Sequence, residues 1–269
     1  MKKMTFAVWF TALMAVFTFS SCLDSGDYNG ERFGSEPVKV LGNLGTYEFL
    51  SNSGFTLVPT NMSAINIDIS TRYAIITYRF NPEQLNQTTK RVPVTLTGIA
   101  PVESQHTYPT LEGMKEFANS PVRNITTQQS YTDFAVGFWD AKTMFMPITY
   151  FVKNVQTDEA VKEELKKHSF QIHYDMENEE NDQYGMVFHV RHKVQDPEKN
   201  EERQSIYSTS IYEVNLNKSL SDYQGKFGKM PDVIKIEFEH NYTGIYNETQ
   251  VQSKVVEVNY KQYLDKLKK

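Results

Sequence analysis

A mainly β fold, a small barrel followed by an antiparallel sandwich with one surface helix, is what this sequence predicts. Three observations predict it. Apolar and polar side chains alternate with period two through most of the chain, which lines one face of a strand. The chain carries 16 Tyr and 17 Phe, and aromatic residues suit a pleated, half-buried surface. Strand-like runs crowd together between residues 38 and 99, then resume after an interval punctuated by Pro101, Pro109 and Pro121.

The first 21 residues stand apart. Lys2 and Lys3 precede an apolar run from Thr5 to Thr18, and Phe19, Ser20 and Ser21 lead into Cys22. That is the order of a secretory signal peptide, and the run is shorter than the roughly 20 residues a spanning helix needs. Cys22 is the sole cysteine, so no intramolecular disulfide can form. Its place after two small residues marks it as the lipidation site of a lipoprotein cut before Cys22. Each buried acyl CH₂ contributes about 0.8 kcal/mol, so two or three chains hold a protein on a bilayer. Residues 22–36, polar and glycine-bearing, read as a flexible tether.

Residues 37–103 read as the barrel domain. TYEFL (46–50) and FTLVP (55–59) flank Ser51-Asn52-Ser53-Gly54, a hairpin signal. RYAIITYRF (72–80) places Ala74, Ile76, Tyr78 and Phe80 on one face; RVPVTLTGI (91–99) does the same with Val92, Val94 and Leu96. Pro93 belongs at an edge or bulge. Five short strands suit a closed or nearly closed barrel, which removes sheet edges. Residues 104–128 lose the alternation and read as a linker with a short helix in TLEGMKEFANS.

Residues 129–269 read as the sandwich domain. FAVGFWDAKTMFMPITYFV (134–152) forms two strands around Asp140-Ala141-Lys142. TDEAVKEELKKH (157–168) is the one helix predicted here, capped by Thr157 or Asp158, with Val161 and Leu165 as its apolar side. SFQIHYD, YGMVFHVRHKV, RQSIYSTSIYEVNL, DVIKIEFEH and SKVVEVNY follow as strands. The basic end KQYLDKLKK reads as a solvated tail.

Loss of the leader removes two lysines, leaving 26 basic against 33 acidic groups, a net of −7. No basic surplus exists to neutralise phosphates, so nucleic acid is not an expected partner. His189 and His192 have H-x-x-H spacing, but on a strand three residues apart means opposite faces. His192 then lies in the core or at an edge, and His189 faces solvent. The run from Glu177 to Asp182 lacks the spacing of a calcium loop and reads as a solvated hairpin. Phe134, Phe138, Trp139, Phe145, Tyr150 and Phe151 read as core rather than as sugar-stacking platforms. No nucleophile elbow, phosphate loop or H-E-x-x-H occurs, so no catalytic residue, metal ligand or cofactor is assigned.

Several motifs in order carry a family resemblance: FSSCLDSGD at the leader's end, SNSGFTLVP, RYAIITYRF, TMFMPITYFV and FHVRHKVQD. The chain resembles the NigD-like lipoproteins of gut Bacteroidetes. The resemblance implies an OB-like barrel before a C-terminal β-sandwich. It departs in one place, with Ser53-Gly54 where the family usually carries D-G. Asp24 and Asp27 resemble the acidic signal that sends such lipoproteins to the outer surface, so the implied address is the outer membrane, facing either the periplasm or the medium. The family name comes from a proposed immunity role beside a bacteriocin-like gene, and the family brings no catalytic residues. The function read from the sequence is a non-enzymatic binding or interaction module, anchored to the membrane through lipid on Cys22, with a protein or glycan ligand. The alternatives are an immunity-type envelope protein and an envelope-polymer hydrolase.

Overall fold

A computed structural model describes residues 30–42, 47–62, 71–85, 88, 90–128, 134–195, 206–241 and 251–268. The leader, Cys22, Asp24 and Asp27 lie outside the described residues. The chain divides into two compact units, Met1–Glu103 and Ser104–Lys269.

Among the described residues of the first unit five strands run β1 (Arg32–Leu41), β2 (Glu48–Ser51), β3 (Thr56–Pro59), β4 (Tyr73–Phe80) and β5 (Arg91–Gln105, whose last two residues belong to the second unit). Their lateral order is β3-β2-β1-β4-β5, and a parallel β3–β5 pairing closes the barrel in the OB-like manner. Alternation decides the interior. Ala74, Ile76, Tyr78 and Phe80 join Val92, Val94 and Leu96 around Phe49, Phe55 and Leu57. Pro93 sits where β5 pairs only with β3, past the end of its register with β4, so its missing N–H is harmless. Gly54, at φ +82°, closes the predicted hairpin by donating its N–H to Ser51 O.

The tether expected over 22–36 stops short, because β1 begins at Arg32. Gly34 and Glu36 face the barrel core in line with Val38. A Cβ at Gly34 would stand 2.6 Å from Tyr78 Cζ, so only glycine lets that ring reach Glu36. Alternation misses this end of the strand because a glycine and a glutamate occupy its inward positions.

The second unit packs two sheets over one core. One is antiparallel, ordered β11-β8-β7, from β7 (Gly137–Asp140), β8 (Thr143–Val152) and β11 (Ile206–Asn215). The other is ordered β13-β12-β10-β9-β6, from β6 (Thr107–Tyr108), β9 (His168–His173), β10 (Gly185–Val194), β12 (Val233–Asn241) and β13 (Val251–Asn259). Two pairings in it are parallel, β10–β12 and β6–β9. Strand alternation cannot show pairing direction, so this departure from a wholly antiparallel sandwich was not legible. Met144, Met146, Ile148 and Tyr150 of β8 meet Phe170, Ile172, Phe188, Val190, Ile236 and Phe238 between the sheets. Phe138, Phe145, Tyr150 and Phe151 are buried, while Phe134 and Trp139 are partly so.

Among the described residues four helices complete this unit: α1 (Met114–Phe117), α2 (Asp158–Leu165), α3 (Asn217–Phe227) and α4 (Tyr260–Leu267). Thr157 Oγ1 caps α2 by accepting from Ala160 N at 3.2 Å. Of its expected apolar side, Leu165 packs against the core while Val161 is 41% exposed, and the buried residue of the helix is Glu164. α3 and α4 went unread. The tail expected at 261–269 is instead mostly α4, capped by Asn259 and seated through buried Tyr260, whose hydroxyl donates to Ala141 O at 2.6 Å. Sparse apolar residues hid both helices, since two aromatics or a Leu–Tyr pair suffice to dock a short helix. No helix among the described residues is long and apolar enough to cross a membrane.

Residues 104–128 are not a free linker. β6 joins the sheet edge, Val122 and Ile125 are buried, and Ser120, Val122 and Asn124 form bridges to His192, His240 and Thr149. β12 pairs with β10 only as far as Val190. Beyond that point residues 119–122 fill the gap between the two strands, then 123–124 cross to β8 of the other sheet.

Candidate functional site

The polar cluster with the most converging groups lies on the five-stranded sheet, on the face turned away from the core. Side chains on one face of adjacent strands meet in rows. Register aligns Tyr108, His173, His189, Glu237 and Val255 across all five strands. Two residues along each strand, the next row brings Gln171 opposite Arg191 and Glu239 opposite Ser253.

Glu237 is the hub. Its Oε2 accepts from His189 Nδ1 at 3.0 Å and Arg191 Nη1 at 2.6 Å, and its Oε1 accepts from Ser253 Oγ at 2.6 Å. Burial pushes this carboxyl up, but the hydrogen bonds from His189, Ser253 and Arg191, with the Arg191 charge, outweigh it and hold the group down at about 2. Glu237 is therefore a fixed anion at neutral pH. Arg191 spends Nη1 on Glu237 and on Val190 O. Its side chain is only 8% exposed, its Nε lies 4.0 Å from Glu239 Oε1, and that Nε has no hydrogen-bond partner among the described residues.

His173 donates Nδ1–H to Thr110 O at 2.7 Å, and its Nε2 lies 2.9 Å from Gln171 Oε1. Its ring stacks on Tyr108 with centroids 5.1 Å apart. Burial, with the nearby Arg191 charge and His189, pushes this imidazole below its ordinary value despite the Thr110 hydrogen bond. The loop after β9 roofs His189: Asn178 Nδ2 lies 3.4 Å and Glu180 Oε2 3.5 Å from its Nε2. Hence His189 is buried, not solvent-facing. A strand's second face reaches water only if no loop folds over it, and period-two alternation is blind to that.

The acidic loop spends oxygens on its own backbone. Asp175, Asn178 and Asp182 accept from the N–H groups of Glu177, Glu180 and both Tyr184 and Gly185, at 2.7–3.0 Å. Among the described residues no group of three or more His, Cys, Asp or Glu could hold a metal ion.

For hydrolysis the order of groups is wrong. Ser253 and His189 both bind Glu237, so the carboxylate stands between hydroxyl and imidazole. A catalytic triad needs the imidazole in the middle, where it can take the hydroxyl proton. A strongly ionised Glu237 also makes a poor general base or acid at neutral pH.

His192 and His168 lie elsewhere, in the core, linked Nδ1(168) to Nε2(192) at 2.9 Å. His106 is exposed and His240 is the penultimate residue of β12. Glu237, Arg191 and Ser253 were missed as a set. Period two sets His189 and Arg191 on one face of β10, and Glu237 and Glu239 on one face of β12, but only strand register brings the two pairs together.

Fold and site thus define a two-unit β protein whose most convergent polar cluster is a satisfied network around one carboxylate. No protein-family model matches the chain, and no curated protein does. Among solved structures it is similar to a candidate lipoprotein of Bacteroides fragilis, 25% identical over 85% of this chain and 98% of that one, with a TM-score of 0.71. A protein of unknown function from Bacteroides vulgatus shares the fold at 11% identity, covering 85% and 90%, with a TM-score of 0.50. A NigD-like immunity protein from Bacteroides caccae is 14% identical, covering 90% and 97%, with a TM-score of 0.48. The Bacteroides fragilis structure is thus of the lipoprotein kind that the sequence resembles.

Proposed function

We propose that this protein is a lipid-anchored component of the cell envelope that works as a non-enzymatic interaction module, with the outer face of the five-stranded sheet as its ligand surface. The observation that carries the reading is the saturation of Glu237 by His189, Arg191 and Ser253. Groups locked to each other in this way hold a surface in shape but have no proton to trade. Around this floor, Tyr108 and Glu180 remain exposed and Glu239 is half-buried, supplying a ring and two carboxylates to a protein or glycan ligand. The similarity to a candidate lipoprotein and the FSSC motif at Cys22 support the envelope address.

Two measurements test this. Cells fed a labelled fatty acid incorporate it into the native protein, and Cys22→Ala abolishes both label and membrane retention; retention of either refutes the anchor. Native protein is screened on glycan arrays and against envelope extracts, beside a Tyr108→Ala/Glu180→Gln/Glu239→Gln variant of unchanged stability. The variant loses at least tenfold in affinity for whatever the native protein captures. Equal capture by both, or no capture by the folded native protein, refutes the surface.

A further inference from the structure

The loop between β9 and β10 lies over His189 and approaches it with two different groups. His189 Nε2 stands 3.4 Å from Asn178 Nδ2 and 3.5 Å from Glu180 Oε2. The other ring nitrogen, Nδ1, faces Glu237 Oε2 at 3.0 Å. The His189 side chain is 6% exposed, whereas that of Glu180 is 57% exposed.

The chemistry of these partners decides where the protons go. Glu237 is a fixed anion and only accepts, so His189 Nδ1 carries a hydrogen whether the ring is neutral or charged. A neutral ring then presents a lone pair at Nε2. The Asn178 amide satisfies it by donating, while the Glu180 carboxylate faces it lone pair to lone pair. A second proton reverses this. Nε2 becomes a donor, its bond with the Asn178 amide is lost, and Glu180 becomes the partner. Asn178 gains nothing by turning its amide over, because its Oδ1 already accepts from Glu180 N at 3.0 Å. A hydrogen bond between ionised groups is roughly twice as strong as a neutral one, and the 3.4 Å amide contact is long for its kind. Protonation therefore exchanges a weak tie for a strong one.

We infer that this loop is an acid-closed roof: a second proton on His189 draws Glu180 down onto the sheet, tightens the loop, and withdraws the Glu180 carboxylate from the ligand. The last step rests on the ligand surface proposed above; the first two do not. The surrounding charges favour closure. On β12, Glu237 holds Nδ1, and Glu239 lies 4.0 Å from Arg191 Nε. On β9, His173 stands opposite His189, with Tyr108 of β6 stacked on it. Burial, then the charges of Arg191 and His189, hold His173 below its ordinary value despite the Thr110 hydrogen bond, so it stays neutral as His189 gains its charge. The loop's other acids are engaged elsewhere or face water: Asp182 lies 3.5 Å from Lys235 Nζ of β12, Glu177 3.2 Å from Lys226 Nζ of α3, Asp175 accepts from Glu177 N, and Glu179 is exposed. Among the described residues two carboxylates thus bracket the ring, against the Arg191 cation, which is itself paired with Glu237.

The test is ¹⁵N histidine NMR and amide exchange on the full mature chain without ligand, from about pH 8 to about pH 5, the interval in which imidazoles gain their charge. His189 keeps its hydrogen on Nδ1 throughout and gains one on Nε2 in acid. As it does so, exchange at Asn178, Glu180 and Asn181, corrected for its intrinsic pH dependence, slows by about threefold or more. Closure stabilises the charged ring, so this protection is present in acid and lost as pH rises. Ordinary acid loosening runs the other way. Glu180→Ala removes the slowing. An Nε2–H tautomer at the upper end, loop exchange that does not slow as the ring charges, or slowing that survives in Glu180→Ala overturns the inference. The tautomer and the exchange of the native chain decide it even if Glu180→Ala fails to fold. A loop that closes while ligand affinity ignores pH refutes the place of Glu180 in the ligand surface instead.

Discussion

Replacing Glu237 by Gln removes the anion at the centre of the sheet-face cluster while keeping its shape. The structure sets the size of the effect. Held at about 2 against an ordinary 4.5, the carboxyl has some 2.5 units of preference for its ionised form, and at 1.36 kcal/mol per unit this is roughly 3.4 kcal/mol. Partial access of solvent screens some of it, leaving about 2–3 kcal/mol. An independent line agrees, since stripping the partner from a buried ion pair costs roughly 3–5 kcal/mol, and Arg191 and Glu237 have side chains 8% and 9% exposed. The folded-state value is depressed, so this stability is fully present above pH 4.5 and is lost as pH falls toward 2. Urea unfolding at pH 7 shows Glu237→Gln with a lower midpoint, unchanged slope and a deficit of about 2–3 kcal/mol. The deficit shrinks steadily between pH 4.5 and 2.5. A double-mutant cycle with Arg191→Met returns a coupling of at least about 1 kcal/mol. A deficit below about 0.5 kcal/mol at pH 7, or one independent of pH, refutes the account of Glu237 as the hub.

Three other perturbations have defined outcomes. Gly34→Ala drives a methyl to 2.6 Å from Tyr78 Cζ and lowers barrel stability by about 1–3 kcal/mol, read as a drop in the denaturation midpoint; a midpoint unchanged within error means that ring is free to shift. Tyr78→Phe deletes the donor to Glu36 Oε1, 2.6 Å away, and strands part of a buried carboxyl, at a cost of about 1–3 kcal/mol by the same measurement. Burial pushes the Glu36 carboxyl up in spite of the Ser51 and Tyr78 hydrogen bonds, so its contribution is present in acid and lost as pH rises through the folded value. Thr157→Ala removes the cap on Ala160 N and costs about 1 kcal/mol, with faster amide exchange confined to the first turn of α2; faster exchange spread over the whole unit contradicts a local cap.

Much of the fold was legible because its signal is local. Val92, Val94 and Leu96 point inward for the same reason they alternate, and Thr157 caps a helix wherever it precedes one. α3 and α4 escaped because Leu220, Tyr223, Tyr260 and Tyr263 are too sparse to mark a stripe before the sheet they dock on is known. The candidate site was legible only in halves. Period two sets His189 and Arg191 on one face and Glu237 and Glu239 on one face, but these pairs lie 46 residues or more apart in the chain, and nothing short-range records their parallel register.

By itself, then, the sequence determined most of the strands and the apolar inward residues of the barrel, since period-two patterning is a property of neighbouring residues. The tertiary structure alone decided that Glu36 belongs to a barrel core, that residues 104–128 stitch two sheets, that a loop covers His189, and that Glu237 collects three donors. Each of these depends on strand register and loop return. Those are settled by which faces exclude water together, and no stretch of chain carries that information alone.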